Sequence, residues 1–200
     1  MMTQNLAAAR KDEDTLENQT FENETADHLD FSRIDCVSIQ FKNCHFSACN
    51  FDKTSFYHCQ LINCDFSNCS FIESYWKDSA LTGSKGNGSD FAESRLKSTQ
   101  LTDCAFNYTN FTKAHWERCT VKNCSFKESF LTEMHFNNFK ITGTDLSGVD
   151  FFRTSLKNLD FSQCTLTGIH VSDSFSELRG LKIAPMQAAD LIGLLGIRII

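Results

Sequence analysis

From Phe31 to Val171 every fifth residue is large and apolar, with one interruption. The centres run Phe31, Cys36, Phe41, Phe46, Phe51, Phe56, Leu61, Phe66, Phe71, Trp76 and Leu81, then lack a side chain at Gly86. They resume at Phe91 and continue to Phe161, Leu166 and Val171. Of 29 centres, 14 are Phe and 8 are Leu, so nearly every unit sends a bulky side chain inward. A period of five fits neither the about 3.6 residues of a helical turn nor the two of a strand. Fixed-period self-similarity marks a stacked repeat, whose units bury their apolar side only against neighbouring units.

Two residues before each centre lies a smaller inward position. It holds Cys44, Cys49, Cys59, Cys64, Cys69, Cys104, Cys119, Cys124 and Cys164, with Ser or Thr at most of the others. Nine of the ten cysteines share this register, and the tenth, Cys36, is itself a centre. The remaining three positions of each unit are mostly polar. Zinc sites use closely spaced Cys pairs with His partners. These spacings are instead multiples of five, and all six histidines fall at solvent-facing positions. The cysteines therefore read as buried reduced thiols acting as small hydrophobes. The column Cys44, Cys64, Cys104, Cys124 and Cys164 suits a reducing compartment.

The units CDFSN (Cys64 to Asn68), TNFTK (Thr109 to Lys113) and LDFSQ (Leu159 to Gln163) resemble the pentapeptide repeat family, over about three quarters of the chain in unbroken phase. The resemblance implies an all-β solenoid, a right-handed quadrilateral β-helix with four units per turn. Seven turns at about 4.8 Å per strand make a rod of roughly 35 Å.

Three segments frame the rod. Residues 1–20 are polar and acidic without clean periodicity, and are expected to be disordered or a partial cap. The β-helix is expected over 21–173. At 82–89 the chain reads TGSKGNGS; Gly83, Lys85, Gly86, Asn87 and Gly88 are expected to form a projecting or bulged loop, since glycine permits backbone excursions. From Ser174 the pentad fails. Pro185 opens a short apolar helix, Gly196 stops it, and Ile197 to Ile200 are expected to form a short strand. Such an apolar segment either caps the rod or pairs with a second copy. LRGLKI (Leu178 to Ile183), Gln187-Ala188 and Leu195-Gly196-Ile197 resemble the C-terminal module of Qnr-type pentapeptide proteins. That likeness implies a homodimer whose interface holds Leu181, Ile183, Met186, Leu191, Ile192, Leu194, Leu195 and Ile197.

No nucleophile elbow, phosphate loop, metalloprotease helix or Cys/His pair is present, so no catalytic residue, metal or cofactor is expected and the chain reads as a non-enzyme. No stretch is long and apolar enough to span a membrane, and no secretory signal is visible; a cytoplasmic protein is expected.

The Qnr-type likeness implies a DNA mimic that binds DNA gyrase or topoisomerase IV and protects it from quinolones or a similar poison. Charge qualifies that idea. The net charge of −6 resides entirely in residues 1–30, and residues 31–200 carry 17 acids against 17 bases. Sorted four units to a turn, one face displays Asp30, Asp52, Glu73, Asp90, Glu93, Glu133, Asp150 and Asp173 against Arg33, Lys53, Lys113 and Arg153, a net −4. Asp52, Glu73, Asp90, Glu93, Glu133, Asp150 and Asp173 are thus the candidate topoisomerase contacts. The next face, centred on Cys36 to Leu156, comes to +2. DNA of the same length carries about 20 charges, so any mimicry is dilute. A scaffold rod with no topoisomerase role, or self-immunity against a gyrase-directed natural product, remains the alternative. Without a basic excess, direct nucleic-acid binding is not expected.

Overall fold

The computed structural model describes residues 1–11 and 14–197. The chain winds into a β-solenoid in which residues twenty apart stack in register, so each coil holds four five-residue sides. The first side stacks Thr15–Glu17, Asp35–Val37, Ser55–Tyr57, Tyr75–Lys77, Arg95–Lys97, His115–Glu117 and His135–Asn137 as a parallel seven-stranded sheet. A second parallel sheet of seven runs from Thr20–Glu22 to Lys140–Thr142. Sides three and four are held mainly by isolated bridges and tight turns, as in Phe51, whose carbonyl accepts the Thr54 N–H at 3.1 Å. Seven strands span six steps of about 4.8 Å, or about 29 Å of shaft.

The centres fill the interior. Phe31, Phe51, Phe71 and Phe91 stack at 4.6, 4.7 and 4.4 Å between successive ring centroids, and Trp76 lies on Phe56 at 3.8 Å. The small register has a role that composition alone does not reveal. Thr54, Cys59, Ser89 and Ser129 each donate to the carbonyl of a centre 23 residues earlier, at 2.7, 3.3, 2.7 and 2.6 Å. Several of these atoms also accept the N–H of the small residue one coil below, as Ser79 does from Cys59 and Ser129 from Thr109. Cys, Ser and Thr exchange here because each is small and brings a donor to a buried carbonyl. All ten cysteines are buried and unpaired. Burial pushes the Cys59, Cys119 and Cys164 thiols up to about 11.

From Asn18 to Gly168 the residue two places after each centre has positive φ, with Gln163 as the exception. Among the described residues, eight of these are Asn and five are Gly, the types that enter the left-handed region at least cost.

That rule corrects the expected loop at 82–89. Gly83 and Gly88 occupy ordinary corners at φ +61° and +68°. Their N–H groups donate to Thr102 and Asn107 carbonyls at 3.0 and 2.8 Å, and Lys85 bridges both Asp65 and Ala105. Asn87 stays on the coil too, its side-chain oxygen accepting the Asn107 N–H at 2.9 Å. Nothing projects. Gly86 keeps its place as a centre, and the rings of Phe66 and Phe106 close in from either side. A Cβ on Gly86 would stand 2.5 Å from Phe66 Cε2 and 2.8 Å from Phe106 Cε1. The gap in the pattern is filled from the coils above and below, so the register never slips.

The N-terminal expectation also shifts. Met2–Ala9 forms a helix, α1, that buries Met2, Leu6 and Ala9 over the open end of the first coil. Arg10 Nη2 ties it to the Asp30 carbonyl at 3.1 Å. Coiling begins at Thr15, inside the segment expected to lie outside the rod, with Leu16, Phe21 and Ala26 buried in phase with the later centres. Asp12 and Glu13, two of the N-terminal acids, lie outside the described residues.

At the far end the chain turns through Ser176–Leu178 and Pro185–Gln187 into a second helix, α2, Ala188–Leu194. Ile197 is exposed with no strand assignment, and the rest of the expected strand, from Arg198 to Ile200, lies outside the described residues.

Candidate functional site: the charged faces of the rod

Because the register passes through Gly86 unchanged, the fourth side is one continuous column of partners: Asp30, Asn50, Ser70, Asp90, Asn110, Phe130, Asp150 and His170. The candidate acids divide into two kinds there. Asp30, Asp90 and Asp150 sit just before a centre, and each carboxylate accepts the N–H two residues on, at 3.0, 2.9 and 2.8 Å. Asp52 accepts the Ile72 N–H at 2.9 Å and the Ser70 hydroxyl. The bonds of Asp30, Asp90 and Asp150 are local ones of the kind that fold Asx turns, whereas Asp52 ties its coil to the next. The first use of these carboxylates is therefore to hold the coil.

The other acids lie in the corner column Arg33, Lys53, Glu73, Glu93, Lys113, Glu133 and Arg153, followed by exposed Asp173 in the turn beyond the last coil. Four bases here balance four acids. Lys53 Nζ reaches Glu73 Oε1 at 3.3 Å, both half-exposed. The net −4 of the face thus belongs to the four aspartates engaged in hydrogen bonds to the coil, while its corner charges mix both signs. Such a surface presents a mixed pattern rather than a polyanion.

Around the corner, Glu93, Arg95, Lys113, His115, Glu133 and His135 line a shallow groove of about 330 Å³. The imidazoles of His115 and His135 stack at 4.6 Å. Partial burial, then the neighbouring His135 and Arg95, lowers the His115 pKa. On the first side Glu117 is shared between Lys97 at 3.6 Å and Arg118 at 2.9 Å, which neutralises part of that side's positive excess. Among the described residues no three of His, Cys, Asp and Glu gather as metal ligands.

The C-terminal end is the other candidate surface. Leu181, Ile183, Leu191 and Leu194 pack against the last coil of their own rod. Ile192 is half-buried, and Met186, Leu195 and Ile197 are exposed. Two residues to which sequence reasoning gives no anchoring role fasten this module. Gln187, buried, donates from Nε2 to the carbonyls of Phe161 and Cys164 at 2.8 and 2.5 Å, and its Oε1 accepts the Ala184 N–H at 2.6 Å. Glu177, also buried, accepts the Arg153 N–H at 2.9 Å and the Ser172 hydroxyl at 2.8 Å. Burial opposes its charge, but these bonds and its own N–H hold the carboxyl below its ordinary pKa. Both residues satisfy backbone groups that a further coil would otherwise have taken. Their signal in sequence is only that a polar residue interrupts an apolar run.

Three aromatic side chains occupy polar registers and stand in solvent: Tyr108 (66% exposed), Phe130 (52%) and Phe152 (39%).

Family models for the pentapeptide repeat region match residues 54–131 and 114–188, and a model of eight pentapeptide copies matches 30–68. No curated protein matches the chain. Among solved structures, a trypsin-treated variant of QnrB1, a plasmid-mediated fluoroquinolone resistance protein, is 26% identical with a TM-score of 0.56, over 91% of this chain and 90% of that one. HetL, involved in heterocyst differentiation regulation in the cyanobacterium Nostoc sp. strain PCC 7120, is 14% identical with a TM-score of 0.52, over 84% of this chain and 86% of its own. The second likeness concerns the fold alone.

Proposed function

The chain belongs to the pentapeptide repeat family, and from that premise we propose that it is a non-enzymatic cytoplasmic protein that binds a type II topoisomerase, DNA gyrase or topoisomerase IV, and protects it from quinolones or a similar poison. The observation that carries this reading is the end-to-end likeness to QnrB1, over nine tenths of both chains. The shaft adds a physical argument: about 29 Å approaches one turn of duplex DNA, roughly 34 Å. A dimer joined at the C-terminal ends would double that length, with Met186, Leu195 and Ile197 as the apolar contact.

Charge alone does not drive the association on this reading. The exposed charges on the fourth face number far fewer than the about 20 phosphates of one duplex turn, and they are of both signs. They set orientation and encounter rate more than affinity. A supercoiling assay on gyrase holoenzyme, with and without a fluoroquinolone, tests the reading as the protein is titrated. Relief of drug inhibition supports it; no effect on gyrase or on topoisomerase IV overturns it.

A scaffold role is the second reading, favoured by the neutral balance of residues 31–200. It predicts a stable rod that leaves both topoisomerases unaffected.

A further inference from the structure

Tyr108, Phe130 and Phe152 fall at intervals of 22 residues, one coil up and two positions along. They form a diagonal of exposed rings across the fourth side, each step about 8 Å from the strand and residue spacings. None contributes to the core, and positions of their registers elsewhere hold mainly Asp, Asn, Ser, Thr or charged residues. Three solvated aromatics in one line call for an explanation other than stability.

The uppermost ring shows what the others can do. The Arg153 guanidinium lies over the Phe152 ring, 4.9 Å from its centroid, the geometry of a cation–π pair. Tyr108 and Phe130 have no such cation over them among the described residues. Each has an acidic residue one coil above in register instead: Glu128 above Tyr108, its carboxylate leaning on toward Gly148, and Asp150 above Phe130, with one oxygen on the Phe152 N–H. A ring face with an acidic residue one coil away accommodates an incoming arginine or lysine, by cation–π attraction at the ring and longer-range attraction from the carboxylate.

We infer that Tyr108 and Phe130 form the anchoring subsite for arginine or lysine side chains on a basic protein surface, which they grip as Phe152 grips Arg153. The inference rests on the topoisomerase reading only for the partner's identity; the chemistry of the subsite stands apart from it. Aromatic residues in this role supply the affinity that the mixed charges cannot, since interface energy concentrates in a few aromatic and arginine contacts.

The test uses the full chain with ring-labelled Phe and Tyr, titrated by NMR with a nona-arginine peptide and, as control, the same peptide with citrulline at every position. Arginine should shift the Tyr108 and Phe130 ring resonances, and citrulline should not. Tyr108→Ala with Phe130→Ala should weaken binding of the arginine peptide, and separately of gyrase holoenzyme, by about tenfold. Tyr108→Phe should retain it. Both residues are exposed, so the variants should melt with the parent. Equal shifts from citrulline, or unchanged peptide affinity in the double variant, would overturn the proposal. If the peptide behaves as expected and the parent protein ignores both gyrase and topoisomerase IV, the topoisomerase reading fails while the subsite stands.

Discussion

Phe66 and Phe106 lie two coils apart, yet their rings meet at 5.9 Å across the space left by Gly86. Continuing the repeat with a side chain at position 86 is therefore the wrong repair. Gly86→Ala is expected to destabilise the rod by about 1–3 kcal/mol through overpacking, read as a lower urea midpoint. Gly86→Leu combined with Phe106→Leu should recover part of the loss. Stabilisation by Gly86→Ala alone would show that the two rings are free to withdraw.

Trp76 and Trp116 occupy the same column, but only one indole is satisfied. Trp76 Nε1 donates to Ser74 Oγ at 3.1 Å. Trp116 has Ala114 at the matching place and its Nε1 lacks a partner, while Ser94 has a buried hydroxyl with no bond and no Trp beside it. Ala114→Ser should add about 0.5–1.5 kcal/mol. Ser94→Ala should be neutral or mildly stabilising. Chemical denaturation followed by tryptophan emission measures both.

The buried carboxylate of Glu177 makes the C-terminal module sensitive to acid. Its folded pKa is depressed, so its contribution is complete above the ordinary glutamate value of about 4.3 and is lost as pH falls through the lower folded value. Glu177→Gln should be less stable than the parent by about 1–3 kcal/mol at pH 7, and the gap should narrow steadily as pH falls below the ordinary glutamate value of about 4.3. A gap that does not change with pH would assign the effect to shape rather than charge.

Gln187 anchors α2 to the last coil through two carbonyls. Gln187→Leu leaves both without that donor and should cost about 1–3 kcal/mol, with hydrogen exchange rising first over Ala188–Leu194. If α2 also carries a dimer contact, light scattering should show the same variant dissociating at higher concentration than the parent.

Charge reversal separates the two kinds of acid on the fourth side. Glu73→Lys with Glu133→Lys is expected to weaken gyrase binding about tenfold while melting near the parent. Asp52→Ala and Asp90→Ala should instead lower stability by about 1 kcal/mol each, the first through a lost bond between coils and the second through a lost turn bond. Reversing Glu22 and Asp27, near the N-terminus, should leave binding unchanged. Equal losses from both reversed sets would remove the fourth side from consideration.

The interior was legible residue by residue: the apolar pentad locates each buried ring from Phe31 onward, because one bulky side chain per five residues admits few other arrangements. Leu16, Phe21 and Ala26 carried the same phase and extend it toward the N-terminus, and Met2, Leu6 and Ala9 carried helical spacing. The glycine-rich stretch misled because composition says nothing of register. Once Asn23, Asn43 and Asn63 mark the left-handed corner, Gly83 reads as its natural continuation. The candidate acids were located on their face from spacing alone, but the bonds of Asp52 to the Ile72 N–H and the Ser70 hydroxyl were not visible, since those depend on where the next coil puts its donors.

The register of twenty also separates two properties that most folds couple. Each coil meets only its neighbours, and α1 and α2 dock on the first and last of them. Gain or loss of a whole coil would change the reach of the molecule and leave both ends facing as before. Gain or loss of a single unit would swing the C-terminal end through a quarter of a revolution at almost constant length. Reach and bearing can therefore drift independently in the descendants of such a gene, by duplication steps of different size.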